Sequence, residues 1–266
     1  MSFVKKIKEA FTLPFDSKSF RKDLGFTNKK DLKKHYKSTD IVSINWDKIE
    51  RCNTRLKEIF ASLNETVHPS IRWENIGIIY DEIDNAYNTI KSNGIFPRLN
   101  NNGRYPEDVY YNWMRGYIAC KFFTPALALV FSISESSIRT VGHDSLSKVE
   151  TFSKSPVADL EITLDKKIVR LEIQSGYTDV NDIKKHKVQE AKRAFLDEDV
   201  LSYVVHFDLF NGTVAIVNIT NIDDANTHWE TRTQMEGKLV FAIPDEAFKW
   251  FLPEAPPHYS DILFLP

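Results

Sequence analysis

Only two cysteines occur in 266 residues, Cys52 and Cys120. Their separation fits none of the paired spacings that build a zinc cage, and His186, His206 and His228 are dispersed, so neither a zinc site nor an HNH-like nuclease centre is expected. Both cysteines read as buried thiols of a reducing compartment, with a disulfide between them left open by the spacing alone. Glycine is scarce too, nine residues in all. No G-x-G-x-x-G and no P-loop pattern occurs, which removes support for a nucleotide cofactor. No apolar run approaches ~18 residues, so no membrane span is expected. The start, Met1-Ser2-Phe3-Val4-Lys5-Lys6, has no apolar run of the signal-peptide kind, and a cytoplasmic location is expected. Internal repeats and low-complexity tracts are absent.

What the chain does have is an apolar content of 42%, ample for a buried core, in a length that fits one large domain or a core with an appended module. The formal net charge of −2 conceals an uneven distribution. Over residues 1–38, Lys and Arg exceed Asp and Glu by seven, so the remainder is acidic by nine. The basic stretch suits either a solvated arm or a segment in contact with nucleic acid.

Apolar spacing predicts helices over residues 2–11, 29–37, 46–63, 73–91 and 107–131, the second capped by Thr27 or Asn28 and the last kinked or divided at Pro125. Residues 93–106, rich in Asn, Gly and Pro, read as loop. A basic helix is expected over 180–196, strands over 200–210 and 213–219 joined at Asn211-Gly212, a strand over 238–243 and a short helix over 245–251. Helices first and then β-β-α-β-β imply an α/β (α+β) architecture, a mixed β-sheet flanked by helices. Residues 1–100 are expected to form a helical N-terminal region, a candidate DNA-contacting lobe, and residues 101–266 the core with a C-terminal extension.

The most informative pattern is a hairpin over 157–164 and 168–174. Ala158, Leu160, Ile162 and Leu164 alternate with Val157, Asp159, Glu161 and Thr163, and Val169, Leu171 and Ile173 with Arg170, Glu172 and Gln174. One face therefore suits a core and the other chemistry. A two-residue turn at Asp165-Lys166 sets Leu164 opposite Lys167, Glu161 opposite Arg170, and Asp159 opposite Glu172. The first polar pair attracts. The second is a like-charge pair that requires a positive neighbour, for which a divalent cation with oxygen ligands is the expected candidate.

With Asp159, then Glu172-Ile173-Gln174 on the next strand, a long helix before and a basic helix after, residues 107–220 resemble the PD-(D/E)XK nuclease superfamily, which includes many type II restriction endonucleases. Two positions depart from its pattern. Pro156 lies three places before Asp159, and Gln174 stands where Lys is usual, a Glu-x-Gln form that some restriction endonucleases carry. The resemblance implies a restriction-endonuclease-like core in which Asp159 and Glu172, with the Ile173 carbonyl, bind Mg2+, and Gln174 orients the attacking water. It implies a third acid from upstream, for which Asp144 is chosen ahead of Glu135 and Glu150. Lys184, Lys185 and Lys187 on the following helix are expected to meet DNA phosphates, and base-reading residues are sought in 226–234 or 100–104.

The expected activity is site-specific hydrolysis of double-stranded DNA by a homodimer, without nucleotide cofactor or membrane. Three alternatives stand beside it: a decayed nuclease scaffold that only binds DNA, a DNA-repair nuclease, and a paired-carboxylate glycosidase, the last disfavoured because Tyr177 is the only aromatic near the acids in sequence.

Overall fold

A computed structural model describes residues 16–26, 28–36, 43–99, 104–141, 159–177, 181–233 and 237–266. The helix expected over 2–11 lies outside them, as do Asp144 and Glu150. The chain divides into two compact units, one of Met1–Asn45 with Phe96–Tyr110 and the other of Trp46–Ile95 with Tyr111–Pro266.

The first unit contains helices α1 (Ser17–Asp23) and α2 (Lys29–Tyr36). Asp16 caps α1 by accepting from the Lys18 N–H, and Asn28 caps α2 by accepting from the Asp31 N–H at 2.9 Å. Phe96 packs against Tyr110 at 5.0 Å between ring centres, and the Glu107 carboxylate accepts the Asn45 N–H at 2.6 Å.

The second unit carries the long helices α3 (Trp46–Thr66) and α4 (Gly77–Ser92). The latter starts four residues later than its apolar spacing suggests. The Asn64 side chain holds Trp73 by both its N–H and its carbonyl, and Asn75 folds back to accept the Gly77 N–H. Helix α5 (Pro106–Phe122) and helix α6 (Thr124–Val130) meet at Phe123, so Pro125 in the first turn of α6 does divide the long apolar segment.

A seven-stranded mixed sheet follows. Its strands are β1 (Arg139–Thr140), β2 (Leu160–Leu164), β3 (Lys167–Gly176), β5 (Leu201–Asp208), β6 (Thr213–Asn218) and β10 (Leu263–Phe264) in that lateral order, with β9 (Phe248–Phe251) also on β6. The β2–β3 and β5–β6 pairs are antiparallel, whereas β3 and β5 run parallel. Parallel neighbours need a crossover, and it contains β4 (Asp182–Lys184) and helix α7 (Lys185–Glu198). Strand β4 belongs to a second sheet of order β4-β8-β7, with β7 (Glu230–Arg232) and β8 (Lys238–Ala242).

Two expected helices are therefore partly strand. Residues 182–184 pair with Val240–Ala242 and bury Ile183 completely, so α7 begins only at Lys185. Residues 248–251 pair with β6, Trp250 turning inward and Phe251 outward, because the alternation fits a sheet edge better than a helix. A single-turn helix α8 (Tyr259–Ile262) precedes β10.

Each face of the large sheet has its own cover. Val188 and Ala191 of α7 share a core with Val204, Ala215 and Val217. On the opposite face Phe207 stacks on Phe123 with centroids 3.8 Å apart. The sheet is thus flanked by helices on both sides, the mixed α/β arrangement that the element order implies. Among the described residues no helix is long and apolar enough to cross a membrane.

Candidate active site

The hairpin has the register read from its pattern. Leu164 pairs with Lys167, Glu161 with Arg170 and Leu160 with Leu171. Asp165 and Lys166 both adopt left-handed φ, 49° and 68°, as a two-residue turn matching the strand twist requires. Leu160, Ile162, Val169, Leu171 and Ile173 are all buried. Glu161 lies against Arg170 at 3.8 Å and Arg139 at 3.1 Å, and Arg170 reaches on to Glu198 at 2.8 Å.

The ladder ends at the pair of Leu160 with Leu171, and Asp159, just before β2, is held against β3 by its own hydrogen bonds. The Asp159 N–H donates to the Leu171 carbonyl, and its carboxylate oxygen Oδ2 accepts the Ile173 N–H at 2.8 Å. Asp159 is therefore pinned to the strand that carries Glu172. The Glu172 side chain projects on the α7 side of the sheet, as its paired position opposite Val204 requires.

A positive neighbour for Glu172 comes from α7. Lys187 Nζ lies 2.8 Å from Glu172 Oε2, with 17% and 18% of the two side chains exposed. An ion pair this withdrawn from water is held more firmly than a surface pair. Gln174, two residues beyond Glu172 and on the same face, lies opposite His206 of the parallel strand β5. Its Oε1 is 3.2 Å from His206 Nδ1. Burial drives the His206 pKa down to about 4, against the upward pull of the Asp208 carboxylate.

Asp208 ends β5. Burial alone would raise its pKa, but hydrogen bonds from the Asn211 side chain and from the Asn211 and Phe210 N–H groups outweigh it and hold the carboxyl below its ordinary range. Immediately past β3, Tyr177 is 53% exposed and lies under the Arg115 guanidinium at 4.8 Å.

The structure separates the three lysines expected to face DNA. Lys184 ends β4, Lys185 lies over the Trp229 ring at 4.6 Å, and Lys187 is the partner of Glu172. Burial and the charges of Lys184, Lys238 and Lys187 together depress the His186 pKa, which marks the start of α7 as electropositive. Glu135 sits on an exposed single-turn helix at Glu135–Ser137. Among the described residues no three His, Cys, Asp or Glu side chains form a cluster suited to a metal. Residues 100–103 and 234 of the candidate base-reading segments lie outside the description, and Glu230–Arg232 is strand β7. Cys52 and Cys120 form no disulfide and are half-buried rather than buried.

Two participants were not legible as such. Lys187 was assigned to phosphates rather than to Glu172. His206 carried no signal, because only the parallel β3–β5 pairing brings it to Gln174. No family model matches this chain, and no curated protein or solved structure does either.

Proposed function

We propose that this chain is a Mg2+-dependent type II restriction endonuclease with a PD-(D/E)XK-like core, hydrolysing phosphodiester bonds of double-stranded DNA at a specific site. The observation that supports it best is a pair of carboxylates at β3, Asp159 held to the Ile173 N–H and Glu172 paired with Lys187 of α7.

The donor set fits magnesium. Two carboxylates and the backbone carbonyl of Ile173 are hard oxygen donors, and Mg2+ commonly takes only one or two carboxylates, completing its shell with water and substrate phosphate. When bound there, the ion would lower the pKa of a coordinated water and neutralise charge on the phosphate. The chain's own groups do the rest. Asp159 is fixed in place by the Ile173 N–H. The Lys187 ammonium supplies a fixed positive charge beside the scissile phosphate, where charge grows as the bond breaks. Gln174 carries no titrating proton and acts by hydrogen bonding alone. The electropositive start of α7 favours the approach of the DNA backbone. A palindromic site cut on both strands calls for two copies about a two-fold axis.

The test is incubation of the chain with phage DNA and Mg2+, beside the Asp159→Asn and Glu172→Gln variants. Discrete fragments from the native chain and none from either variant are expected. Smearing would point to a repair nuclease. Mg2+-independent binding without cleavage would point to a decayed scaffold, and cleavage by either variant would remove the site.

A further inference from the structure

One buried group beside the acids has no role in the reaction outlined above. His206 is 3% exposed, its Nδ1 meets Gln174 Oε1, and its other ring nitrogen, Nε2, is buried without a hydrogen-bond partner among the described residues. A side-chain carboxamide and an imidazole can meet in two ways. In the first, Nδ1 carries the proton and donates to the amide oxygen, leaving a bare lone pair on Nε2. In the second, the amide is turned over, its NH2 donates to a bare Nδ1, and the ring proton sits on Nε2.

The buried, unpartnered Nε2 decides between them. A proton there would be an orphaned buried donor, a rarer and costlier kind of unsatisfied group than a bare lone pair. A Cβ built on Gly176 would lie 3.0 Å from His206 Nε2 and 3.3 Å from Cε1, so glycine at 176 leaves the ring its room. Burial keeps the ring neutral near pH 7, which excludes the doubly protonated form.

Building on the nuclease reading, we propose that His206 is a positioning residue that grips the Gln174 carboxamide by its oxygen, so that Gln174 presents its NH2 group to the substrate as a hydrogen-bond donor. The consequence for the chemistry is specific. An amide gripped by its oxygen turns its NH2 group the other way, and from there it donates to a phosphate oxygen or to a lone pair of the attacking water. Donation and positive charge, which a lysine ammonium combines, are here divided between Gln174 on β3 and Lys187 on α7. The Gly176 backbone completes the device, since any side chain there would press on the ring that holds Gln174.

Two measurements test this. Long-range 1H–15N correlation on the native chain reports the His206 tautomer without reference to activity. A neutral ring protonated at Nδ1 is expected, and a proton on Nε2, or an imidazolium at pH 7, overturns the proposal. Single-turnover DNA cleavage is then compared for native chain, His206→Phe and His206→Asn, with DNA affinity measured in Ca2+. Asparagine places an N–H near the Nδ1 position, whereas phenylalanine does not. A loss of tenfold or more in His206→Phe at unchanged affinity, largely restored in His206→Asn, supports the proposal. Equal rates in native chain and His206→Phe, or equal losses in both variants, overturn it. A native chain that shows the Nδ1–H tautomer but cuts no DNA overturns the nuclease reading and leaves the His206–Gln174 geometry standing.

Discussion

Lys187 and Glu172 lie 2.8 Å apart although one comes from helix α7 and the other from strand β3, with β4 between them in the chain. The hairpin alone would leave Glu172 uncompensated, and the helix that crosses over to β5 delivers the cation. The charge balance of the site is therefore a property of the crossover and not of the hairpin.

Replacing that cation separates its two duties. In Lys187→Met, single-turnover cleavage is expected to fall about a hundredfold, the usual scale for losing one preorganised group that stabilises transition-state charge. Lys187→Arg should retain more activity than Lys187→Met. Urea unfolding of Lys187→Met is expected to show a loss of about 1–2 kcal/mol, reflecting a charged hydrogen bond largely withdrawn from water. A rate unchanged in Lys187→Met would remove the residue from the reaction.

The buried imidazole makes stability depend on pH in a defined window. In the unfolded chain His206 takes up a proton near its ordinary value of 6.5, while in the folded chain it stays neutral down to about 4. Unfolding therefore binds a proton between these values, and stability falls as pH is lowered through them. The full contribution is on the order of 3 kcal/mol. Urea midpoints at pH 7, 6, 5 and 4 for the native chain and His206→Phe would check it, the variant lacking this part of the slope.

Gly176→Ala should destabilise by about 1–3 kcal/mol, as overpacking of a filled site does. The added methyl must displace the His206 ring, which also meets Phe248 edge-on at 5.9 Å between centroids. Altered His206 ring signals in NMR spectra of the variant are the accompanying sign, and unshifted ones would place the strain elsewhere.

At the hairpin turn the sign reverses. Lys166 is exposed and holds φ at 68°, a conformation that costs a side-chain-bearing residue about 1–2 kcal/mol. Lys166→Gly relieves that strain and loosens the unfolded chain, so a net gain of about 0.5–1 kcal/mol in urea is expected.

The hairpin could be read in advance because every determinant of it is local. Alternation names the faces, and a two-residue turn fixes which residues oppose each other. The pairing of Glu161 with Arg170 followed from that arithmetic. Lys187 did not, because the spacing of Val188 and Ala191 shows which side of α7 is buried but not which strand lies beneath it. His206 was further from view, being 32 residues from Gln174 and joined to it only by parallel pairing. Strand β4 failed for a related reason. Asp182-Ile183-Lys184 has no period of its own, and becomes a strand only because Val240–Ala242 returns to pair with it.

The stack of Phe207 on Phe123 has a bearing on all of this from the far side of the sheet. Side chains alternate along β5, so a slip of one residue against β3 would carry His206 into the greasy layer and swing Phe207 out among the acids. The aromatic contact forbids that slip. A ring that never comes near a phosphate thereby sets the alignment on which the polar side depends.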